Sequence, residues 1–118
     1  MVTISIKDLV VEAKHGVHEH EKQQPQRFIF NVEATINTQA NISDDLADSL
    51  SYTDLKNSII EVTQSNSFNL IERLAQAVAD QILTHHEVQK VVVAIDKPDV
   101  FKNGVPGVRL EVISGGNG

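Results

Sequence analysis

Apolar and polar residues alternate along four segments of the chain, and each alternation predicts a β-strand. The clearest run covers residues 28–37, where the apolar positions are Phe28, Phe30, Val32, Ala34 and Ile36. Successive side chains of a strand point to opposite faces of a sheet, so this run predicts one buried face and one polar face. The first strand begins at residue 2 and continues through residues 9–13, and the other two are predicted over residues 88–96 and 108–113.

Helical spacing of apolar residues replaces the alternation between the second and third predicted strands. One helix is predicted to begin after Ser51, which forms with Asp54 a pattern similar to a capping box, with an aspartate in place of the usual Glu or Gln. A second helix is predicted to begin at Asn69, with Glu72 three residues further on. Its apolar stripe consists of Ile71, Leu74, Ala75, Val78 and Ile82. Residues 14–26 are predicted to form a polar loop.

The order of these elements, β-β-α-α-β-β, predicts a fold of the α+β class. Two hairpins that flank a pair of helices indicate a four-stranded antiparallel sheet with both helices on one face. We expect a single domain over residues 1–114 and a flexible glycine-rich tail over residues 115–118. The second face of the sheet is polar and is expected to border solvent or a wet cavity; it carries Thr3, Ser5, Lys7, Asn31, Glu33, Thr35, Arg109 and Glu111.

Composition narrows the classes of partner and the expected compartment. The chain has 118 residues, its hydrophobic content is 41%, and its formal net charge is −6. No basic cluster accompanies this charge and aromatic residues are few, so neither nucleic acid nor an anionic membrane is expected as a partner. There is no cysteine and no segment of transmembrane length, and the first residues alternate like a strand rather than a signal peptide. We therefore expect a cytoplasmic protein.

Lys97 is the first candidate for chemistry. It follows the apolar run of residues 88–96, and Pro98 ends the strand directly after it. A lysine at such a strand exit is held by a rigid element, and a partly desolvated ammonium can exchange protons near neutral pH. For an isolated residue, however, a solvated strand-end lysine is the commoner case.

Four other residues have both a structural and a chemical interpretation. Glu72 is either the capping partner of Asn69, which the sequence alone favours, or a carboxylate that binds a planar ligand through two adjacent N–H donors. Tyr52 is either a rim residue or a phenol that relays a proton. Glu21 lies in the polar loop, where most glutamates are simply solvated. Gly16 fits a tight turn or a close approach of the backbone to a ligand.

The five histidines raise the question of a metal site. His15, His18 and His20 crowd one loop, and three imidazoles could bind zinc, but loop histidines are more often solvent-exposed than metal-bound. His85 and His86 lie near the predicted C-terminal end of the second helix, where a favourable interaction with the helix dipole is enough to account for their presence. We therefore expect no metal.

The sequence has no glycine-rich phosphate loop and no G-x-S-x-G motif. These residues alone leave open a small acid–base enzyme and a non-catalytic interaction module.

Taken together and in order, several short segments resemble the dihydroneopterin aldolase family of folate biosynthesis. Each segment is weak alone, but their joint order and spacing are specific, and they extend over about residues 3–113. They are His15-Gly16-Val17 followed by Glu21, Gln26-Arg27-Phe28, Ser43-Asp44-Asp45, Leu50-Ser51-Tyr52, Asn69 to Ala75, Lys97-Pro98 and Gly107-Val108. The C-terminal end departs from the pattern, because many relatives carry an arginine near Ser114.

The resemblance implies a T-fold whose sheets join between subunits into a barrel. It also implies a retro-aldol reaction without metal, cofactor or Schiff base, in which the dihydropterin ring is the electron sink. The implied substrate is the pterin 7,8-dihydroneopterin, and the products are 6-hydroxymethyl-7,8-dihydropterin and glycolaldehyde. Catalytic roles would fall to Lys97, Glu21 and Tyr52, which suit general acid–base work. Substrate binding would fall to Glu72, at the pterin amino group, with Leu70, Ile71 and the backbone of Ser51.

Two alternatives stay open beside the aldolase. A dihydroneopterin triphosphate 2′-epimerase would share the fold and much of the site. Lys97-Pro98 and His15-Gly16 resemble the aldolase more, and the lack of a basic cluster argues mildly against a triphosphate substrate. A catalytically silent T-fold protein would bind pterin or only assemble.

The resemblance further implies a homo-oligomer, expected as an octamer of two stacked four-membered rings with sites shared by two chains. The two open edges of a four-stranded sheet agree with such an assembly.

Overall fold

Four antiparallel strands form one sheet in the order in which they occur along the chain. The computed structural model describes residues 1–115, and it confirms the four predicted strands, two of which begin one or two residues earlier than expected. The strands are β1 (Val2–Ala13), β2 (Gln26–Ile36), β3 (Val88–Asp96) and β4 (Gly107–Ile113). Residues 116–118 of the predicted tail lie outside the described residues.

Within residues 1–115, four α-helices and one short 3-10 helix complete the structure, which has more helical elements than the sequence predicted. The two predicted helices are α3 (Tyr52–Ser65) and α4 (Ile71–Ile82). The prediction that residues 14–26 form a loop is wrong in part, because this segment contains the five-residue helix α1 (Glu19–Gln23). Before α3 lie α2 (Ala40–Ser43) and the 3-10 helix Leu46–Asp48. These pieces are too short for a periodic apolar stripe, which is why the pattern did not indicate them.

The predicted cap of α3 is right in position but lacks its side-chain bond, and the predicted cap of α4 is wrong. Ser51 stands at the N-cap of α3 but its side chain makes no capping hydrogen bond. Helix α4 begins two residues later than predicted, with Leu70 at its N-cap and no side-chain cap. Glu72 is therefore the second residue of the helix rather than the third, and Asn69 lies outside the helix. The capping interpretation of Glu72 is thereby overturned.

The hydrophobic core lies between the two long helices and one face of the sheet. All five apolar residues of the alternating run in β2, from Phe28 to Ile36, are fully buried. Helix α3 packs against β1, and α4 packs against β3 and β4, so both helices cover the same face as predicted. Burial of one large apolar side chain stabilises a fold by about 1.5–3 kcal/mol, so this row is a main source of stability. The residues that α3 and α4 bury in this layer are Leu55, Ile59, Thr63, Leu74, Ala75, Val78, Ala79 and Ile82.

The strand register brings three chain segments to one end of the sheet. Ala13 at the end of β1 pairs with Gln26 at the start of β2. Ile29, also near the start of β2, pairs with Asp96, the last residue of β3. The loop after β1, the start of β2 and the exit of β3 therefore meet at one end, where Lys97 follows Asp96. Within residues 1–115, no helix is long and apolar enough to cross a membrane.

Candidate active site

Lys97 and Glu21 form an ion pair at this end of the sheet. The Nζ atom of Lys97 lies 2.7 Å from Oε2 of Glu21, and only 14% and 12% of the two side chains are exposed. The backbone N–H of Lys97 donates to the carbonyl of Pro106, which fixes the lysine after the strand has ended. The solvated strand-end interpretation of Lys97 does not hold, because the ammonium is mostly shielded from water and is paired.

Two further donors complete the surroundings of the Glu21 carboxylate. The Nε2 amide of Gln26 donates to Oε2 at 3.2 Å, and the backbone N–H of His18 donates to Oε1 at 3.2 Å. The hydrogen bond from Lys97, opposed by desolvation and aided by the other two donors, lowers the pKa of Glu21 from 4.5 to about 2. Glu21 is therefore a carboxylate at any physiological pH. A surface pocket of about 330 Å³ opens beside it and is lined by His18, His20, Glu21, Gln24, Pro25, Gln26, Asp99 and Val100.

A second ion pair secures the segment that follows Lys97. The guanidinium of Arg27 donates to Asp99 through Nη2 at 2.7 Å and through Nε at 3.2 Å. Bidentate pairing of this kind adds geometric specificity as well as energy. It ties the exit of β3 to the start of β2, next to Gln26.

Gly16 lies directly against the side chain of Glu21. Its φ of +156° is one that residues with a Cβ rarely adopt, and a Cβ built on Gly16 would overlap Cδ and Oε1 of Glu21. The close approach that the sequence suggested is therefore an approach to the carboxylate of Glu21. The backbone N–H of Gly16 also donates to the carbonyl of Phe68 at 3.0 Å.

His15 is fully buried, contrary to the expectation that the loop histidines are solvent-exposed. Its Nε2 lies 2.6 Å from the carbonyl of Thr63, and the backbone N–H of Phe68 donates to its Nδ1 at 3.0 Å. One ring nitrogen must donate and the other must accept, so the ring is the neutral Nε2–H tautomer. Burial lowers the pKa of His15; the bond to Thr63 opposes this shift, and the charge of Lys97 adds to it.

The loop histidines do not converge on a common point. Both ring nitrogens of His15 are occupied by backbone groups, while His18 and His20 stack on each other with ring centroids 5.7 Å apart. Among residues 1–115, no group of three or more His, Cys, Asp or Glu side chains is placed to hold a metal ion.

An aromatic layer connects the ion pair with the start of α4. The Nζ of Lys97 lies 5.9 Å from the ring centroid of Phe28, and His15 meets Phe28 edge-on at 5.3 Å. On its other side His15 stacks on Phe68 at 5.7 Å, and the guanidinium of Arg73 lies 5.2 Å from the centroid of Phe68. Sequence reasoning did not assign site roles to His15, Gln26 or Phe68. One indication was available in the sequence for two of them, because His15 and Gln26 lie in segments that carry the family resemblance.

The start of α4 presents Leu70, Ile71 and Glu72. Leu70 is 51% exposed, Ile71 is partly buried, and Glu72 is exposed. Throughout residues 1–115, no side-chain hydrogen bond or salt bridge of Glu72 is found. A carboxylate in the first turn of a helix is favoured by the helix dipole. Glu72 can therefore offer both oxygens to a ligand with adjacent N–H donors.

Tyr52 and Ser51 lie apart from the other predicted site residues. Tyr52 begins α3 and is 72% exposed, whereas Thr63, near the other end of the helix, contacts His15. A helix rises about 1.5 Å per residue, so these two residues are about 16 Å apart along the axis. A single chain therefore brings Lys97 and Glu21 together but leaves Tyr52 at a distance.

Comparisons with known proteins show the family. The family model described as dihydroneopterin aldolase matches residues 4–112, and the chain belongs to this family. It is 36% identical over 97 residues to the dihydroneopterin aldolase of Methylorubrum extorquens, covering 80% of this chain and 75% of the relative. It is also 36% identical over 97 residues to the dihydroneopterin triphosphate 2′-epimerase of Escherichia coli, covering 80% and 79%.

A solved structure shows the same fold. The structure of Escherichia coli dihydroneopterin aldolase in complex with neopterin matches with a TM-score of 0.87 and 30% sequence identity, covering 95% of this chain and 99% of the other. The fold is therefore the T-fold that the sequence resemblance implied.

Proposed function

We propose that the protein is a lyase that cleaves 7,8-dihydroneopterin into 6-hydroxymethyl-7,8-dihydropterin and glycolaldehyde. The observation that carries the proposal is the shielded Lys97–Glu21 pair, with Nζ 2.7 Å from Oε2, in a chain of the dihydroneopterin aldolase family. A positioned acid–base group accelerates a reaction by about 10²–10⁴. It suits this cleavage, in which a proton is removed from a hydroxyl group and protons are added at a ring nitrogen and at a carbon.

The chemistry balances without an added reagent. When the 2′-hydroxyl loses its proton, the bond between C1′ and C2′ breaks and the oxygen becomes the aldehyde of glycolaldehyde. The electron pair of the broken bond forms a C1′–C6 double bond, and the π pair of the C6–N5 bond moves onto N5. N5 takes up a proton from Lys97, which the proton lost by the 2′-hydroxyl replaces. C1′ is then protonated as N5 gives its proton back. Glu21 stays ionised down to about pH 2, so Lys97, as the ammonium of the pair, is the group with a proton to donate.

Substrate binding falls to the start of α4. The exposed carboxylate of Glu72 is available for the 2-amino group and the adjacent ring N–H of the pterin, which form a planar pair of donors. Leu70 and Ile71 would supply the apolar wall beside the ring. The backbone contact from Ser51 would come from a neighbouring chain, because Ser51 lies at the distant end of α3 within one chain. The bound neopterin of the Escherichia coli structure supports a pterin as the ligand class.

A second chain would complete the site. Tyr52 lies far from Lys97 within one chain and is 72% exposed, so it is available to the pocket of a neighbouring subunit. Within the described residues, β1 and β4 each pair with one strand only, which leaves two sheet edges to be joined between subunits. The proposed assembly is a homo-oligomer, an octamer of two four-membered rings, in which Tyr52 helps Glu21 to order water and move protons.

The proposed reaction needs neither metal nor cofactor. Lys97 and Glu21 already supply charge and exchangeable protons at the site, and the dihydropterin ring accepts the electrons. Turnover is expected to survive exhaustive treatment with EDTA. Loss of activity that zinc restores would contradict this part of the proposal. The single domain over residues 1–114 and the cytoplasmic location stay predictions.

The epimerase is the second candidate, favoured by the 36% identity to the Escherichia coli 2′-epimerase. The ion pairs near Lys97 argue against a triphosphate substrate. The positive charges of Arg27 and Lys97 are already paired with Asp99 and Glu21, respectively. Purified protein should be incubated with dihydroneopterin and, separately, with its triphosphate. Glycolaldehyde released from dihydroneopterin is the expected result. A 2′-epimer of the triphosphate without glycolaldehyde would identify an epimerase, and binding without either product would identify a silent pterin-binding protein.

A further inference from the structure

We infer that His15 is a positioning residue for the proposed reaction. Its neutral ring holds the segment before the pterin-binding start of α4, and its backbone carbonyl connects through Gln26 to the Lys97–Glu21 pair. The inference rests on the proposed function. His15 is too deeply buried to touch a substrate, so it can act on catalysis only through the groups that it holds.

The first link runs from His15 to the segment before α4. The Nδ1 of His15 accepts from the N–H of Phe68, and the next residue, Gly16, donates its own N–H to the carbonyl of Phe68. Both backbone polar groups of Phe68 are thus bonded to two consecutive residues, and the rings of His15 and Phe68 stack at 5.7 Å. Leu70, the N-cap of α4, follows two residues later, so the position of Phe68 constrains where Glu72 stands.

The second link runs from the same two residues to the acid–base pair. The carbonyl of His15 accepts from Nε2 of Gln26 at 3.2 Å, and the same amide nitrogen donates to Oε2 of Glu21 at 3.2 Å. The side chain of Glu21 packs directly against Gly16, in the space that a Cβ would otherwise occupy. His15 and Gly16 therefore contact both halves of the site.

The third link fixes the ring itself. Nε2–H donates to the carbonyl of Thr63 in α3, and Phe28 meets the ring edge-on while also lying 5.9 Å from the Nζ of Lys97. A protonated ring would carry a hydrogen on Nδ1 and could no longer accept from Phe68. The link to α4 thus depends on the neutral tautomer.

Two variants separate positioning from mere core packing. In His15→Asn the Oδ1 atom takes the place of Nδ1 and can accept from Phe68, whereas the bond to Thr63 is lost. In His15→Gln the longer amide reaches Thr63 and the acceptor for Phe68 is lost. Ile36→Val, a conservative core change at the far end of β2, serves as a control for lowered stability alone.

We expect all three variants to lower Tm by a few degrees, and only His15→Gln to impair the site. A catalytic group displaced by about 1 Å costs about 10²-fold, so kcat/KM of the His15→Gln variant should fall about 10–100-fold at a temperature where it is folded. Its Kd for a non-cleavable pterin should rise as well. The His15→Asn and Ile36→Val variants should stay within about threefold of wild type in both constants.

The decisive readout besides activity is amide hydrogen exchange of Phe68. Its N–H should be protected in the wild-type and His15→Asn proteins and should exchange faster in the His15→Gln variant. Unchanged kcat/KM and Kd in folded His15→Gln protein, or equal damage in both His15 variants, would overturn the inference. A wild-type protein that neither binds nor cleaves dihydroneopterin would instead overturn the proposed function, whatever the exchange of Phe68 shows.

Discussion

The Nζ of Lys97 donates to Oε2 of Glu21 at 2.7 Å, although the two residues are 76 positions apart in the chain. The pair forms because the exit of β3 and the short helix α1 lie at the same end of the sheet. With both side chains more than four-fifths buried, water screens the pair weakly, and the ammonium has a fixed position from which to donate.

Lys97→Ala should fold and bind pterin but lose turnover, because it removes the proton donor and leaves Glu72 in place. The expected loss in kcat is about 10²–10⁴, as for other general acid–base groups. Lys102→Ala, an exposed lysine of the same loop, is the matched control and should behave as wild type. Steady-state kinetics with dihydroneopterin checks the prediction, and a near-normal kcat for the Lys97 variant would refute it.

Glu72→Ala should weaken pterin binding and lower the melting temperature only slightly. A charge-assisted hydrogen bond contributes about 1.5–3 kcal/mol, so the affinity should fall by about one to two orders of magnitude. Stability should change little, because Glu72 caps no helix and an exposed carboxylate in the first turn contributes only about 0.3–1 kcal/mol through the helix dipole. Titration calorimetry and thermal unfolding measure the two effects, with exposed Glu61→Ala on α3 as the control. Unchanged affinity with a lower melting temperature would restore a structural role.

Gly16→Ala should disable the acid–base pair. The new Cβ would overlap the Glu21 carboxylate and would face a φ of +156°, so Glu21 must leave the place where it meets Lys97. Strain of this kind costs about 1–3 kcal/mol, and displacement of the pair should reduce kcat/KM by about 10-fold or more. Gly104→Ala is the control, because a Cβ there meets nothing within 4 Å. Equal activity of both variants would show that Glu21 does not need its present position.

The Glu21 ion pair should make stability depend on pH below 4.5. Because folding lowers the pKa of Glu21 from 4.5 to about 2, the pair stabilises the protein fully above pH 4.5, and this stabilisation is lost as the pH falls toward 2. Glu21→Gln should remove about 1.5–3 kcal/mol at pH 6 and show a weaker loss between pH 4.5 and 2. Urea unfolding over this range tests the difference. Glu19→Gln, an exposed neighbour on α1, should keep the wild-type slope; parallel curves for wild type and Glu21→Gln would contradict the prediction.

Mixed oligomers should recover activity if Tyr52 serves the pocket of a neighbouring chain. Lys97→Ala and Tyr52→Phe proteins should each be impaired alone. After joint unfolding and reassembly, some interfaces combine an intact Lys97 with an intact Tyr52, and those sites should cleave dihydroneopterin. Native mass spectrometry confirms that mixed assemblies have formed. Mixed rings as inactive as their parents would rule out shared sites, and an active wild-type monomer would rule out the assembly.

The sheet could be predicted from the sequence because its signal is local. The alternation from Phe28 to Ile36 requires one buried face, and a shift of one residue would expose all five side chains, so both the strand and its inner face follow from the pattern. Helix ends were less predictable. Asn69 and Ser51 are residues that favour N-caps, yet α4 begins at Ile71 and the side chain of Ser51 makes no capping bond.

Sequence alone thus determined the α+β order, the core row of β2 and the place of Lys97 at the exit of β3, since each depends on neighbours within a few residues. Tertiary structure decided that Glu21 is the partner of Lys97, that Gly16 must lack a side chain to admit Glu21, and that His15 is a buried neutral ring rather than a solvated one. These relationships depend on strand register and on contacts between residues distant in the chain. The spacing of residues within a short segment does not indicate which distant side chains such contacts bring together.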